Sequence, residues 1–224
     1  MANIAKNVKS SSLQHKLIMW LLLLTLLPLI LISTLSYLQS KDNLISLATH
    51  ELTLSAQETK RFIDNWFEYR IKDIAIQAES HATIRNIEDL TKNYQASQKP
   101  LKGFIKSDQW VKQVDVIHAD LLNMLRNYDY IHDIFLIDNA ANILFSLTQT
   151  ADLGTNLHSG KYKSTNLANA VITSLATNDT ALSTIERYAP SNHLLSAFIS
   201  SPLINETGDL VGIIAIQIKL GAIY

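Results

Sequence analysis

Leu17–Leu38, LIMWLLLLTLLPLILISTLSYL, is a run of twenty-two residues without a charge, bounded by Lys16 on one side and Lys41 on the other. As a helix it would rise about 33 Å, against about 30 Å for the hydrocarbon core of a bilayer. Trp20 and Tyr37 stand near its two ends, where amphipathic rings favour the interface, and Pro28 falls near the middle as a candidate kink. A buried core helix is the competing reading. A helix this long and apolar all round is rarely core in a chain of 224 residues, so a membrane span is the expectation.

The flanks orient the span. Lys6, Lys9 and Lys16 precede it without any acid, whereas Lys41 is followed by Asp42, Glu51 and Glu58. The lysine excess puts residues 1–16 in the cytoplasm and everything after Leu38 outside, in the periplasm or extracellular space, with the span in the inner membrane. A cleavable signal peptide shares the basic start and the apolar run. Its hydrophobic region is usually only about 7–15 residues, and no A-x-A site follows here, so an uncleaved single-pass anchor is expected.

Outside the span the chain reads as an ordinary folded protein. Net charge is −1, which gives no electrostatic footprint for nucleic acid. The absence of cysteine excludes disulfides, thiolate metal sites and cysteine nucleophiles. Six glycines and four prolines leave little room for flexible linkers, and no internal repeat is visible.

From Asn43 to about Glu88 the spacing predicts one long helix, with Phe62, Ile63, Trp66, Phe67, Ile71 and Ile74 along one face. Such a stripe needs a partner, either a second copy of the chain or the domain that follows. Glu51 and Thr59 interrupt it, so a homodimer is expected through this stalk, but not a regular coiled coil. Residues 89–108 are polar, contain Lys99-Pro100 and Gly103, and read as a break. Helical spacing resumes over Trp110–Asn127. The pattern then turns β-like: Ile134–Asp138 and Ile143–Leu147 form a hairpin around Asn139–Asn142. Asp152–Lys163 is a loop with Gly154 and Gly160, and Asn166–Ala176 a short helix. Leu182–Tyr188, Leu194–Ile204 and Leu210–Leu220 are strands, the last a nearly unbroken apolar run expected at the sheet centre with both faces covered. Five strands with helices on a face make an α+β fold. The segments are residues 1–16, a span over 17–38, a helical stalk with connecting helices over 39–127, and a lobe over 128–224.

At this point a family resemblance enters. Asp133–Asp138 with Asn142–Ser146, then Asp152–Leu157, Tyr188–Asn192 and Gly208–Gly212, resemble in order the motifs of the first lobe of double-Cache sensor domains. Those domains occur in bacterial methyl-accepting chemotaxis receptors and related histidine kinases and cyclases. The resemblance implies a PAS-like lobe, a stalk helix leading from a first membrane span, and a role in sensing. The family usually has glycine in the first hairpin turn, where this chain has Ala141. The aromatic and arginine pattern with which amino-acid-sensing members hold their ligand is absent, so the resemblance names no ligand. In the family a second lobe, a second span, a HAMP linker and an output module follow. None lies before Tyr224, and a truncated receptor is the expectation.

The residues offer little to an enzyme. The seven histidines show no H-x-x-x-H or H-E-x-x-H spacing, and no nucleophile elbow, Walker loop or dinucleotide fingerprint occurs. Asp129, Asp133 and Asp138 sit at strand approaches and turns, where capping and solvation are the ordinary roles. No cofactor or metal is expected. A small-molecule site is the more natural chemistry for a concave sheet face closed by a loop and a short helix. Its candidates are Ser146, Asp152, Asn156, Arg187, Tyr188, Ser196 and Phe198. Arg187 could hold a carboxylate in two parallel hydrogen bonds, while Tyr188 and Phe198 could form walls. The alternative roles are structural: aromatic core for Tyr188 and Phe198, loop shaping for Asp152 and Asn156. Two functions follow, a truncated sensory receptor module or a membrane-tethered interaction protein acting through its stalk helix.

Overall fold

The computed structural model describes residues 11–222. Lys6 and Lys9, on which part of the topology argument rests, and Tyr224 lie outside them. The chain divides into two compact units that meet between Phe62 and Ile63.

The first helix, α1 (Ser11–Ala78), contains the apolar run, with Pro28 inside it. Among the described residues it is the one helix long and apolar enough to cross a membrane, with a mean hydropathy of 2.5 over its most apolar stretch. Thr25 and Thr34 turn their hydroxyls back onto carbonyls of the preceding turn, Leu21 and Ile30 respectively. That is how a polar side chain is satisfied in an apolar segment.

The second unit is an antiparallel sheet between two sets of helices. It contains the end of α1, then α2 (His81–Ser97), α3 (Leu101–Phe104) and α4 (Asp108–Asn127). The hairpin β1 (Ile131–Ile137) and β2 (Ile143–Ser146) follows, then α5 (Asn166–Thr177). Last come β3 (Ala181–Leu182), β4 (Glu186–Tyr188), β5 (Leu194–Ile204) and β6 (Leu210–Lys219). The strand order is β2-β1-β6-β5-β3, with β4 also pairing with β5. The six strands therefore occupy five positions, with the first and last strands side by side in the middle. This α+β, PAS-like arrangement is the one the sequence implies.

Two cores lie on either side of the sheet. Alternate residues of the central strands, Ile134 and Leu136, Ile199 and Leu203, Ile214, Ile216 and Ile218, face a core completed by Ile74, Ile87, Leu90, Phe104, Trp110 and Ile117 from the helices. Phe135, Ile137, Phe198, Ile213 and Ala215 face the other side, against Leu157, Tyr162, Leu167 and Val171. Residues 63–127, grouped with the stalk in the sequence reading, are thus packed on the sheet. Polar ties fix the helices in register: Trp110 Nε1 donates to the Leu144 carbonyl at 2.8 Å, and Asn93 to Gln113 at 2.8 Å.

Three boundaries depart from the sequence expectation. The helix expected through Glu88 stops at Ala78, and α2 begins at His81 after Ser80 adopts extended backbone. The break expected over 89–108 is helical as far as Ser97 and again at α3; the chain leaves α2 at Gln98, in the left-handed region with φ 50°. The strand expected over Leu182–Tyr188 is split at Ser183: its N–H still donates to the Phe198 carbonyl at 2.8 Å, but the Phe198 N–H turns to the Ser183 hydroxyl at 2.9 Å in place of a main-chain carbonyl.

Candidate functional site

The side of the sheet that faces α5 carries a row of buried polar side chains. Asp133, Gln217 and Ser196 are all fully buried. Asp133 stands opposite Gln217 across β1 and β6, and Gln217 opposite Phe198 across β6 and β5. Strand alternation puts them on this side: Asp133 shares a face with Phe135 and Ile137, and Gln217 with Ile213 and Ala215.

Asp133 is held by four donors. Its Oδ1 accepts from the Ile134 N–H at 2.7 Å and the Thr148 N–H at 3.0 Å; its Oδ2 accepts from Ser146 Oγ at 2.8 Å and from the Thr148 hydroxyl. Burial pushes its pKa above the ordinary carboxylate value, and the hydrogen bonds from Thr148 and Ser146 oppose that shift without cancelling it. Next to it Ser191 Oγ donates to Gln217 Oε1 at 2.9 Å. Gln217 Nε2 donates to Ser196 Oγ at 2.7 Å, and Ser196 Oγ to the Leu194 carbonyl at 3.0 Å.

A second carboxylate enters from the loop. Asp152 is fully buried and accepts from Thr150 Oγ1 at 2.6 Å and from the Tyr188 hydroxyl. Burial pushes the Tyr188 pKa far above its ordinary value, and the charge of Asp152 adds to it, with smaller contributions from Glu186 and Asp133. The Tyr188 ring packs edge-on against Phe198, centroids 4.8 Å apart. The loop is shaped for this approach. Gly154 adopts φ +72°, and a Cβ there would lie 2.4 Å from the Ile105 side chain.

Of the seven candidates, five therefore gather on this side: Ser146, Asp152, Tyr188, Ser196 and Phe198. Tyr188 and Phe198 are fully buried in the core there. Asn156 sits apart. Its Nδ2 donates to the Ala140 carbonyl at 2.7 Å and to Asn142 Oδ1 at 2.9 Å, and its Oδ1 accepts from the His158 and Ser159 N–H groups. It lines a surface groove of about 490 Å³ whose apolar side is Ile172, Leu175 and Ala176. Arg187 is exposed, because neighbouring positions of a strand point to opposite faces and Tyr188 takes the inner one.

The sequence candidates omit Asp133, Thr148, Ser191 and Gln217. Asp133, expected to cap a turn or face solvent, is instead fully buried. Asp138 does cap the turn, accepting from the Ala140 and Asn142 N–H groups at 3.0 and 2.8 Å. Gln217 had a visible signal as the one amide in an apolar central strand. Among the described residues no group of three or more histidines and carboxylates is placed to hold a metal ion.

No family model matches the chain, and no curated protein matches it. Among solved structures it is similar to an extracellular ligand binding receptor from Desulfohalobium retbaense, at 13% identity and TM-score 0.38, covering 70% of this chain and 27% of that one. It is also similar to the Escherichia coli DcuS sensor domain, at 16% identity and TM-score 0.42, covering 69% of this chain and 90% of that one. A third is the sensor domain of the Vibrio cholerae histidine kinase DctB, at 16% identity and TM-score 0.39, covering 62% and 55%. The chain thus spans about a quarter of the first receptor and about half of the third structure.

Proposed function

We propose that the chain is the sensory part of a membrane-anchored signalling receptor. Leu17–Leu38 holds it in the bilayer with the N-terminus in the cytoplasm, and the lobe lies outside and binds a small molecule on the α5 side of its sheet. The observation that carries this is the row Asp133, Gln217, Ser196, Asp152 and Tyr188, buried on one face of a PAS-like sheet, in a chain that also has a helix of spanning length. Buried polar groups are costly unless they satisfy one another or a ligand, and this row gathers five of them on one side of the sheet.

The chemistry of the row favours a ligand that brings donors. Among the described residues the fully or nearly buried charged side chains are Asp133, Asp138 and Asp152, all acidic, with no buried base beside them. An ammonium or another polar donor fits that field; a carboxylate does not. Binding would replace the Tyr188 or Thr150 hydroxyl at Asp152 and would require the loop with Gly154 and Gly160 to move. Such a ligand signals only if it favours one of two arrangements of the lobe. A second copy of the chain along α1 would give that change a neighbour to act on.

The test is a thermal-shift screen of the full chain in lipid nanodiscs against amines, amino acids and simple carboxylates. A donor-bearing ligand at about 100 times its Kd should stabilise the lobe by about 2.7 kcal/mol. Stabilisation by carboxylates alone would overturn the ligand class. Stabilisation by none would overturn the sensory reading and leave a membrane-tethered interaction protein working through α1.

A further inference from the structure

The end of α1 meets the central strands through one cluster. The Arg70 guanidinium lies 4.3 Å from the Tyr130 ring centroid and 5.2 Å from that of Trp66. Trp66 packs edge-on against both Tyr130 and Phe67. Asp73 Oδ2 accepts from Arg70 Nη1 and from the Tyr130 hydroxyl, both at 3.0 Å. Tyr130 directly precedes β1, and its carbonyl accepts from the Lys219 N–H at 2.8 Å, the last residue of β6. One residue thus touches α1, the start of β1 and the end of β6. Three residues further on is Asp133, the carboxylate of the buried row.

Within this cluster Arg70 Nε is buried and has no hydrogen-bond partner. A buried donor without an acceptor costs free energy, and in a native structure such a group calls for an explanation. The guanidinium lies against two neighbouring rings and is held at one end by Asp73, so a small slide of α1 along β1 would change which of its donors are satisfied. A packed contact of this kind is suited to two discrete positions rather than to continuous deformation.

We infer that Tyr130, clamped between Arg70 and Asp73, is the positioning residue that couples the buried polar row on β1 to α1. The use of such a coupling rests on the sensory reading above; its existence does not, and it can be tested without any ligand. Spatial contiguity is not coupling, so the test must measure coupling itself.

The experiment is hydrogen exchange on the full chain in nanodiscs for four proteins: wild type, Asp133→Asn, Tyr130→Phe and the double variant. Asp133→Asn keeps the side-chain volume and alters the row; Tyr130→Phe keeps the ring and removes only the bond to Asp73. In the wild-type background Asp133→Asn should change exchange over residues 63–78 by about tenfold, the scale of one hydrogen bond to a charged group. In the Tyr130→Phe background that response should disappear. An equal response in both backgrounds, or none in the wild-type background, overturns the proposal. If Asp133→Asn loosens the whole lobe, α5 included, Ser146→Ala replaces it, since that removes one bond to Asp133 and leaves the charge; the same two outcomes decide.

Discussion

At the scale of single residues, Asp133 is where local reading and structure part most sharply, and where consequences are largest. Replacing it with alanine leaves Ser146 Oγ, the Thr148 hydroxyl and two main-chain N–H groups without their acceptor inside the sheet. Asp133→Ala should lose about 2–4 kcal/mol in denaturant titration. The pH dependence also follows. Its folded pKa is raised above the unfolded value near 3.8, so the native state holds the proton more tightly. Stability from this group is therefore greatest at low pH and falls as pH rises from that value through the raised folded pKa. Asp138 and Glu186 shift the same way, also through burial. Asp133→Asn should flatten that decline, measured as Tm against pH from 3.5 upward on the order of half a unit per step; an unchanged slope would show that Asp133 does not titrate in this range. In IHDIFLID the residue sits near the edge of an apolar run, which is why capping was the natural reading. The donors that bury it come from Ser146 and Thr148, 13 and 15 residues away. Local pattern cannot see them. Tyr188, Phe198 and Asp152 were legible as candidates, since aromatic residues on strands and an acid before a glycine are visible signals; their direct contact across 36 residues, from Asp152 to Tyr188, was not.

At the scale of elements, the hairpin, α5, β5 and β6 were legible because each has period-matched apolar residues between turn-formers. Ala141 holds the hairpin turn at φ 62°, the position where a glycine is usual. The missed boundaries have packing causes. The α1–α2 break has neither glycine nor proline, and α2 buries only a narrow stripe of Thr83, Ile84, Ile87 and Leu90, so most of it reads as polar connector. Two predictions belong here. Ser107 caps α4, accepting from the Trp110 N–H at 3.3 Å and donating to the Phe104 carbonyl at 2.7 Å. Ser107→Ala should cost about 1 kcal/mol, seen as a lower midpoint with an unchanged denaturant slope. Gly212 lies on β6 where α2 crosses: a Cβ there would stand 2.6 Å from the Ile137 carbonyl oxygen and 2.7 Å from Ile87 Cγ1. Gly212→Ala should destabilise by about 1–3 kcal/mol through overpacking, and a thermal melt that matched wild type would mean α2 is not seated on β6 at that point.

At the scale of the whole molecule, the issue is what lies along the outer side of α1. The inner side is covered: Trp66, Phe67, Ile71 and Ile74 pack on the helical-side core. Phe62, Tyr69 and Ile76 are 60%, 61% and 70% exposed and recur every seven residues. A seven-residue repeat keeps these side chains on one line of the helix, a line along which we propose that a second copy of α1 packs. Anchoring both copies in one bilayer would raise their effective concentration, so a seam of three residues can suffice where it would fail in free solution. In nanodiscs, disulfide formation through a cysteine placed at Ile76 should give a covalent dimer in high yield, since the chain has no other cysteine to compete. Adding Tyr69→Arg to that variant sets like charges against each other on the seam and should reduce the yield several-fold. A yield that Tyr69→Arg leaves unchanged would mean that the copies meet by collision rather than along this stripe, and the exposed repeat would then need another occupant.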